Sequence, residues 1–257
     1  MAHYNLKTLL ARGAALCALA ACLVSVPTLS QAATISYGDF GPVPPGIMFL
    51  DVKESSGTDP VPLYGPPSPF ATGLNFSPVG FTSSAAGGSA DITDGQLNFT
   101  IMGNGLQGVG SFSLSEFGDY TFAGFGGAPT YVAAGATIFA TITEVNNLPV
   151  APINIPAANA SFSDSLPGPA LATPWSLGVL VDVGAMLPVG DVATKVKVVI
   201  NNSLATGSEP QTASFIAKKG FRIDLVPVEV QNVPEPSTIV LTGLAVCGLG
   251  LAASKRR

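Results

Sequence analysis

Gln96-Leu97-Asn98-Phe99-Thr100-Ile101-Met102 alternates polar and apolar side chains without a break. An extended backbone sends successive side chains to opposite faces, so Leu97, Phe99 and Ile101 share one side and Gln96, Asn98 and Thr100 the other. This is the pattern of a strand with one buried face. It recurs in Thr137–Val145, where Ile138, Ala140 and Ile142 oppose Phe139, Thr141 and Thr143. In Lys195–Leu204 it sets Val196, Val198 and Ile200 against Lys195, Lys197 and Val199. Further strand candidates are Ile47–Val52, Leu74–Phe81, Ser111–Glu116, Tyr120–Phe125, Ser176–Val183, Thr212–Ala217 and Phe221–Val228. Asp94-Gly95, Asn104-Gly105, Gly126-Gly127 and Lys218-Lys219-Gly220 read as turns between them, the last as a hairpin. Many short strands divided by glycine and proline predict an all-β fold, an antiparallel, jelly-roll-like β-sandwich. Gly41–Gly46, Pro60–Pro69 and Leu148–Pro156 read as loops, and Leu148–Pro156 could instead divide two smaller sheets.

Composition agrees. The 257 residues include 29 Gly and 22 Pro, which break helical periodicity almost everywhere and remove helix bundles and coiled coils. An apolar share of 47% is enough to build a core, which argues against general disorder. The charged share is only 11% and the net charge −5, so electrostatic binding of nucleic acid is not expected. Between Ala33 and Asn232 six cations face fifteen anions, which leaves that stretch at −9 and the termini cationic. Cys17, Cys22, Cys247 and His3 all lie near the ends. The body therefore has no disulfide, no thiolate or imidazole metal site, and neither a Ser-His-Asp nor a Cys-His arrangement.

The two ends have their own logic. Lys7 and Arg12 precede an uncharged apolar run, Gly13–Leu29, which closes on Ser30-Gln31-Ala32. A charged region, an apolar region and small residues, in that order, make residues 1–32 a secretory signal peptide, cleaved by signal peptidase between Ala32 and Ala33. Leu19-Ala20-Ala21-Cys22 also fits a lipobox, in which Cys22 would be lipidated. The apolar Leu23-Val24-Ser25-Val26 that follows, and the good site at Ala32, favour ordinary cleavage. At the other end Val233-Pro234-Glu235-Pro236 leads through Ser237 and Thr238 into the apolar run Ile239–Ala253 and then Lys255-Arg256-Arg257. The prolines enforce an extended, accessible segment. Ser237 to Ser254 would span about 27 Å as a helix, close to a hydrocarbon layer of about 30 Å, and the membrane helix is placed at 238–254. The terminal cations would hold it as a stop-transfer anchor.

This three-part end resembles the PEP-CTERM sorting signal of exported bacterial proteins, and the resemblance is confined to residues 233–257. It implies recognition of Val233, Pro234, Glu235 and Pro236 by exosortase, a membrane-embedded, transpeptidase-like protease. Lys255, Arg256 and Arg257 would form the retention cluster during transient anchoring in the inner membrane. Removal of the helix would then pass the protein to the cell surface or an exopolysaccharide matrix.

Residues 33–232 are thus expected to form one β-sandwich domain with no catalytic residues and no cofactor. Asp91 and Asp94, in Asp91-Ile92-Thr93-Asp94-Gly95, are weak candidates for Ca²⁺, and turn chemistry is the better reading of them. Fifteen acids also leave room for a carboxylate pair of the kind glycoside hydrolases use, but none is singled out. Trp175 and the tyrosines Tyr37, Tyr64, Tyr120 and Tyr131 could offer sugar platforms; edge packing is the simpler reading of Trp175. Asn75, Asn98, Asn159 and Asn201 begin Asn-x-Ser/Thr triplets, which carry no presumption of glycosylation in a bacterial context. The expectation is an exported surface or matrix protein with a structural or interaction role. A polysaccharide- or calcium-binding module is the alternative, with a glycoside hydrolase behind it.

Overall fold

The structure, a computed structural model, describes residues 33–168 and 171–230. The signal peptide, Ala32, Cys22 and the whole segment 233–257 lie outside them. The strands are β1 (Ala33–Val43), β2 (Ile47–Ser56), β3 (Ser68–Phe70), β4 (Gly73–Phe76), β5 (Thr82–Ala86) and β6 (Ala90–Met102). They continue as β7 (Gln107–Ala123), β8 (Tyr131–Val145), β9 (Leu148–Ser165), β10 (Thr173–Asp182), β11 (Ala193–Gly207) and β12 (Ala213–Glu229). Among the described residues the one helical piece is a 3-10 turn at Gly184–Met186, and no helix is long and apolar enough to cross a membrane.

All pairings are antiparallel. One sheet runs β1-β2-β6-β11-β8-β9. The other runs β10-β7-β12, and the far edge of β12 is covered by β5 along Ala213–Ala217 and by β4 along Phe221–Ile223. A single pairing, Ala193 with Val109, stitches the sheets at one corner. The chain passes repeatedly between sheets, as in a jelly roll: β6 to β7, β7 to β8, β9 to β10, and β11 to β12.

Between the sheets lie the predicted apolar phases: Leu97, Phe99 and Ile101 from β6, Val196, Val198 and Ile200 from β11, and Ile138, Ala140 and Ile142 from β8. Phe112 and Leu114 of β7 and Ile223 and Leu225 of β12 meet them from the second sheet. Burial of such a phase on the central strands is the main driving force for the sandwich.

Several readings change. Leu148–Pro156 is not a loop but the first half of β9, paired to β8. Its prolines are tolerated because β9 is an edge strand, whose outer N–H groups owe no partner. With that strand continuous, the segment divides nothing. The β8–β9 hairpin instead turns on Asn146 and Asn147, with φ of 51° and 65°, a left-handed pair suited to a two-residue turn. Asp94-Gly95 is not a turn either, since β6 runs straight through it. Ser111–Glu116 and Tyr120–Phe125 merge into β7, and Leu74–Phe81 contracts to β4. Asn104-Gly105 lies in the connection from β6 to β7 and Gly126-Gly127 in that from β7 to β8, where the hydrogen-bonded turn runs from Gly127 to Thr130.

The hairpin expected at Lys218-Lys219-Gly220 is a bulge inside β12. Lys218 pairs with Gly118 and Gly220 with Phe117, so one extra residue sits opposite β7. The bulge shifts the inward phase from Ser214, Ile216 and Lys218 to Phe221, Ile223 and Leu225. A Cβ at Gly220 would stand 2.1 Å from the tip of the Phe117 ring, which is half exposed and would have to turn aside.

Candidate functional site

Two polar constellations stand on opposite faces of the first sheet. On the outer face the register aligns Ser55, Gln96, Asn201, Thr137 and Asn159 side by side across β2, β6, β11, β8 and β9. At 4.7–4.9 Å between strands the row is about 19 Å long. Gln96 Nε2 donates to Asn201 Oδ1 at 2.9 Å, and Asn98 Nδ2 donates to Gln96 Oε1 at 3.1 Å, which orients the amides. The adjoining row is Asp94, Ser203, Gly135 and Ser161, whose small side chains leave a shallow groove of about 850 Å³. Asp94 is the one ionisable residue among those lining it. Phe139, on the same face of β8 two residues from Thr137, is 45% exposed. Neutral donors and acceptors beside an exposed ring form a surface for binding, and no activated nucleophile is among them.

Directly beneath, between the sheets, lies a cluster that the apolar pattern conceals. Glu116 of β7, Asn202 of β11 and Lys218 of β12 are all buried. Lys218 Nζ is 2.6 Å from Glu116 Oε2, and beyond that contact neither atom has a directed hydrogen-bond partner. Asn202 Nδ2 donates to Glu116 Oε1 at 2.6 Å. The Tyr64 hydroxyl lies 2.9 Å from Asn202 Oδ1 and 3.1 Å from the Gly95 carbonyl, and its one proton serves one of them at a time. Around Lys218 Nζ stand the rings of Phe81, Phe221 and Tyr64, with centroids at 4.4, 5.4 and 5.7 Å. Burial pushes the Lys218 ammonium below its ordinary pKa, against the opposing pull of Glu116. Burial, followed by the charges of Glu116 and Glu54, pushes the Tyr64 phenol well above its own. Glu54 is spent otherwise: its two oxygens accept the backbone N–H groups of Leu63 and Tyr64, both at 2.8 Å.

The other nominated residues fall as follows. Asp91 and Asp94 are three apart on a straight strand and so face opposite sides of β6. Asp91 accepts the Ser84 N–H at 2.9 Å, while Asp94 accepts the Thr58 hydroxyl. Among the described residues no three His, Cys, Asp or Glu side chains converge as a metal site requires. Trp175 is a core residue, stacked on Phe162 with its indole N–H donating to the Ala217 carbonyl at 3.1 Å. Tyr64 and Tyr120 are buried too, so they offer a sugar no platform. Ala33 is the first residue of β1, whereas Ala32, Val233–Pro236 and Lys255–Arg257 lie outside the described residues.

Sequence reasoning did not find the buried cluster, although a signal was present. Glu116, Asn202 and Lys218 each occupy an inward position in a largely apolar phase.

Residues 232–257 match the family model of the PEP-CTERM protein-sorting motif, and the chain is accordingly an exported protein. No curated protein sequence matches. Solved structures with some likeness include a carbohydrate-binding module, TmCBM61, in complex with beta-1,4-galactotriose: 9% identity, 60% of this chain, 70% of that one, TM-score 0.21. The N-terminal cellulose-binding domain of Cellulomonas fimi beta-1,4-glucanase C gives 13%, 80%, 98% and 0.20. The enzymatically active domain of bacteriophage CBA120 tailspike protein 4 gives 14%, 77%, 20% and 0.19. Likenesses at such TM-scores add nothing to the fold described above.

Proposed function

We infer that this is a bacterial surface or extracellular-matrix protein, processed at both ends, whose β-sandwich acts by contact rather than by catalysis. The observation that carries this reading is the matched sorting motif at the end of an acidic, cysteine-free body. In this reading signal peptidase cuts between Ala32 and Ala33. An exosortase-like protease then acts at Val233–Pro236 while Lys255–Arg257 hold the tail in the inner membrane. Mass spectrometry of the native extracellular protein should find an N-terminus at Ala33 and no peptide beyond about Pro236. Intact Arg257 in a surface fraction would overturn sorting by cleavage.

The register row on the first sheet favours one kind of contact. Amides and hydroxyls that both donate and accept suit a neutral, hydroxyl-rich polymer, and a body at −9 repels polyanions. Exposed Phe139 supplies a face for a sugar ring. Mobility of the protein in gels containing neutral polysaccharides tests this. Retardation by at least one polymer, relieved by Gln96→Ala or Asn201→Ala, is expected; free migration through all of them would exclude it.

A further inference from the structure

The Lys218–Glu116–Asn202 cluster is an unusual thing to bury. A desolvated ion pair with poor alignment gains little over its neutral form, and Lys218 Nζ is buried among three aromatic rings with Glu116 as its charged partner. Transfer of the ammonium proton to Glu116 leaves a free amine and a carboxylic acid. The same carboxyl group touches both the amine, at 2.6 Å, and the carboxamide nitrogen of Asn202, also at 2.6 Å. A hydroxyl proton from Tyr64 reaches the carboxamide oxygen at 2.9 Å. A nucleophile, a proton carrier, a leaving group and an oxyanion donor therefore meet in one cluster, linked through Glu116 and Tyr64.

We propose that Lys218 and Asn202 join in an internal amide bond between β12 and β11, with Glu116 as the proton carrier. Lys218 Nζ attacks Cγ of Asn202, and the N–C bond forms as charge develops on Oδ1 under the Tyr64 hydroxyl. The Cγ–Nδ2 bond then breaks. Glu116, carrying the proton first taken from Lys218, delivers it to Nδ2, which leaves as ammonia, and takes in its place the proton shed by the attacking nitrogen. Amine plus carboxamide gives secondary amide plus ammonia, so the step needs no oxidant, metal or cofactor. Its product ties the two sheets together covalently in a body that has no cysteine for a disulfide. This inference is independent of the groove and of the sorting reading.

Trypsin digestion of the denatured full protein tests it. Without the bond, cleavage after Lys197 and Lys218 releases Val198–Lys218 at its sequence mass. With it, the acylated Lys218 resists trypsin, and Val198–Lys219 appears lighter by one ammonia. A succinimide at Asn202-Ser203 would also lose ammonia but would leave Lys218 cleavable, and that outcome counts against the proposal. Lys218→Met should remove the mass loss, and so should Glu116→Gln, which keeps the shape but not the proton carrier. Asn202→Asp should shift the loss from ammonia to water, which keeps the test open if the first two variants fold poorly. An unmodified Val198–Lys218 peptide from mature wild-type protein would overturn the assignment.

Discussion

Asn201 and Asn202 are consecutive residues of β11, yet they belong to opposite regions of the molecule. Asn201 lies on the outer face, exposed, in a row of side chains that water can replace; Asn202 is 3% exposed and clasped by Glu116 and Tyr64. Outside, amides and hydroxyls keep their options, so substitution there should alter what the protein binds and little else. Inside, each polar atom depends on a partner brought from another strand. The same side chain is adaptable on one face and committed to a single arrangement on the other.

The sharpest way to break this contrast is Lys218→Ala. It strands Glu116 among aromatic rings and should cost about 3–5 kcal/mol in a denaturant titration. If it cost no more than Asn201→Ala, the inner cluster would not be the constrained region. Gly118→Ala comes next. The added Cβ would stand 1.9 Å from the Ala217 carbonyl oxygen, backbone that cannot turn aside, and overpacking of this kind costs about 1–3 kcal/mol. The drop in unfolding midpoint would show it.

Alkaline pH probes the interior from another side. Tyr37, Tyr64 and Tyr120 all have raised pKa values, chiefly through burial, and that of Tyr120 is pushed up to about 12 with help from its hydrogen bond to Asp164. The folded state holds these protons more tightly than the unfolded chain. Their contribution is therefore complete below pH 10 and is lost as pH rises through the raised values. Phenolate absorbance should accordingly appear together with unfolding. Independent ionisation of these tyrosines in folded protein would show that the interior is open to water.

On the outer face, Asn201→Ala should change stability by less than about 0.5 kcal/mol. The same change should weaken retention by a neutral polysaccharide by roughly 1 kcal/mol, the value of one hydrogen bond, about fivefold in affinity. The smallest effect is expected from calcium. With Asp91 and Asp94 on opposite faces of β6, thermal unfolding should be the same in Ca²⁺ and in chelator. A midpoint that climbed with Ca²⁺ would give the outer face a ligand of another class.

Much of the architecture could be read directly. Leu97-Phe99-Ile101, Ile138-Ala140-Ile142 and Val196-Val198-Ile200 announce strands because alternation is a local consequence of extended backbone. What misled were prolines and glycines, whose meaning depends on neighbours. Pro149, Pro152 and Pro156 suit a loop as well as an edge strand, and only the one-sided pairing of β9 decides between them. Lys218-Lys219-Gly220 suits a turn as well as a bulge. The inward phase does change parity between Ile216 and Phe221, as a bulge requires, but two lysines beside a glycine look like solvent-exposed chain.

The sequence by itself determined the class of fold, the acidic body without cysteine or histidine, and the sorting motif at its end. Each of these is local or compositional: a period of two, a tally of residue types, a short ordered string. Which strands are neighbours was left to the tertiary structure. Only the register across β2, β6, β11, β8 and β9 lines up the outer amides. Only the stacking of the sheets brings residues 64, 116, 202 and 218 within hydrogen-bonding reach. Such contacts depend on the pairing of distant segments, and no alternation within one strand encodes its partner on another.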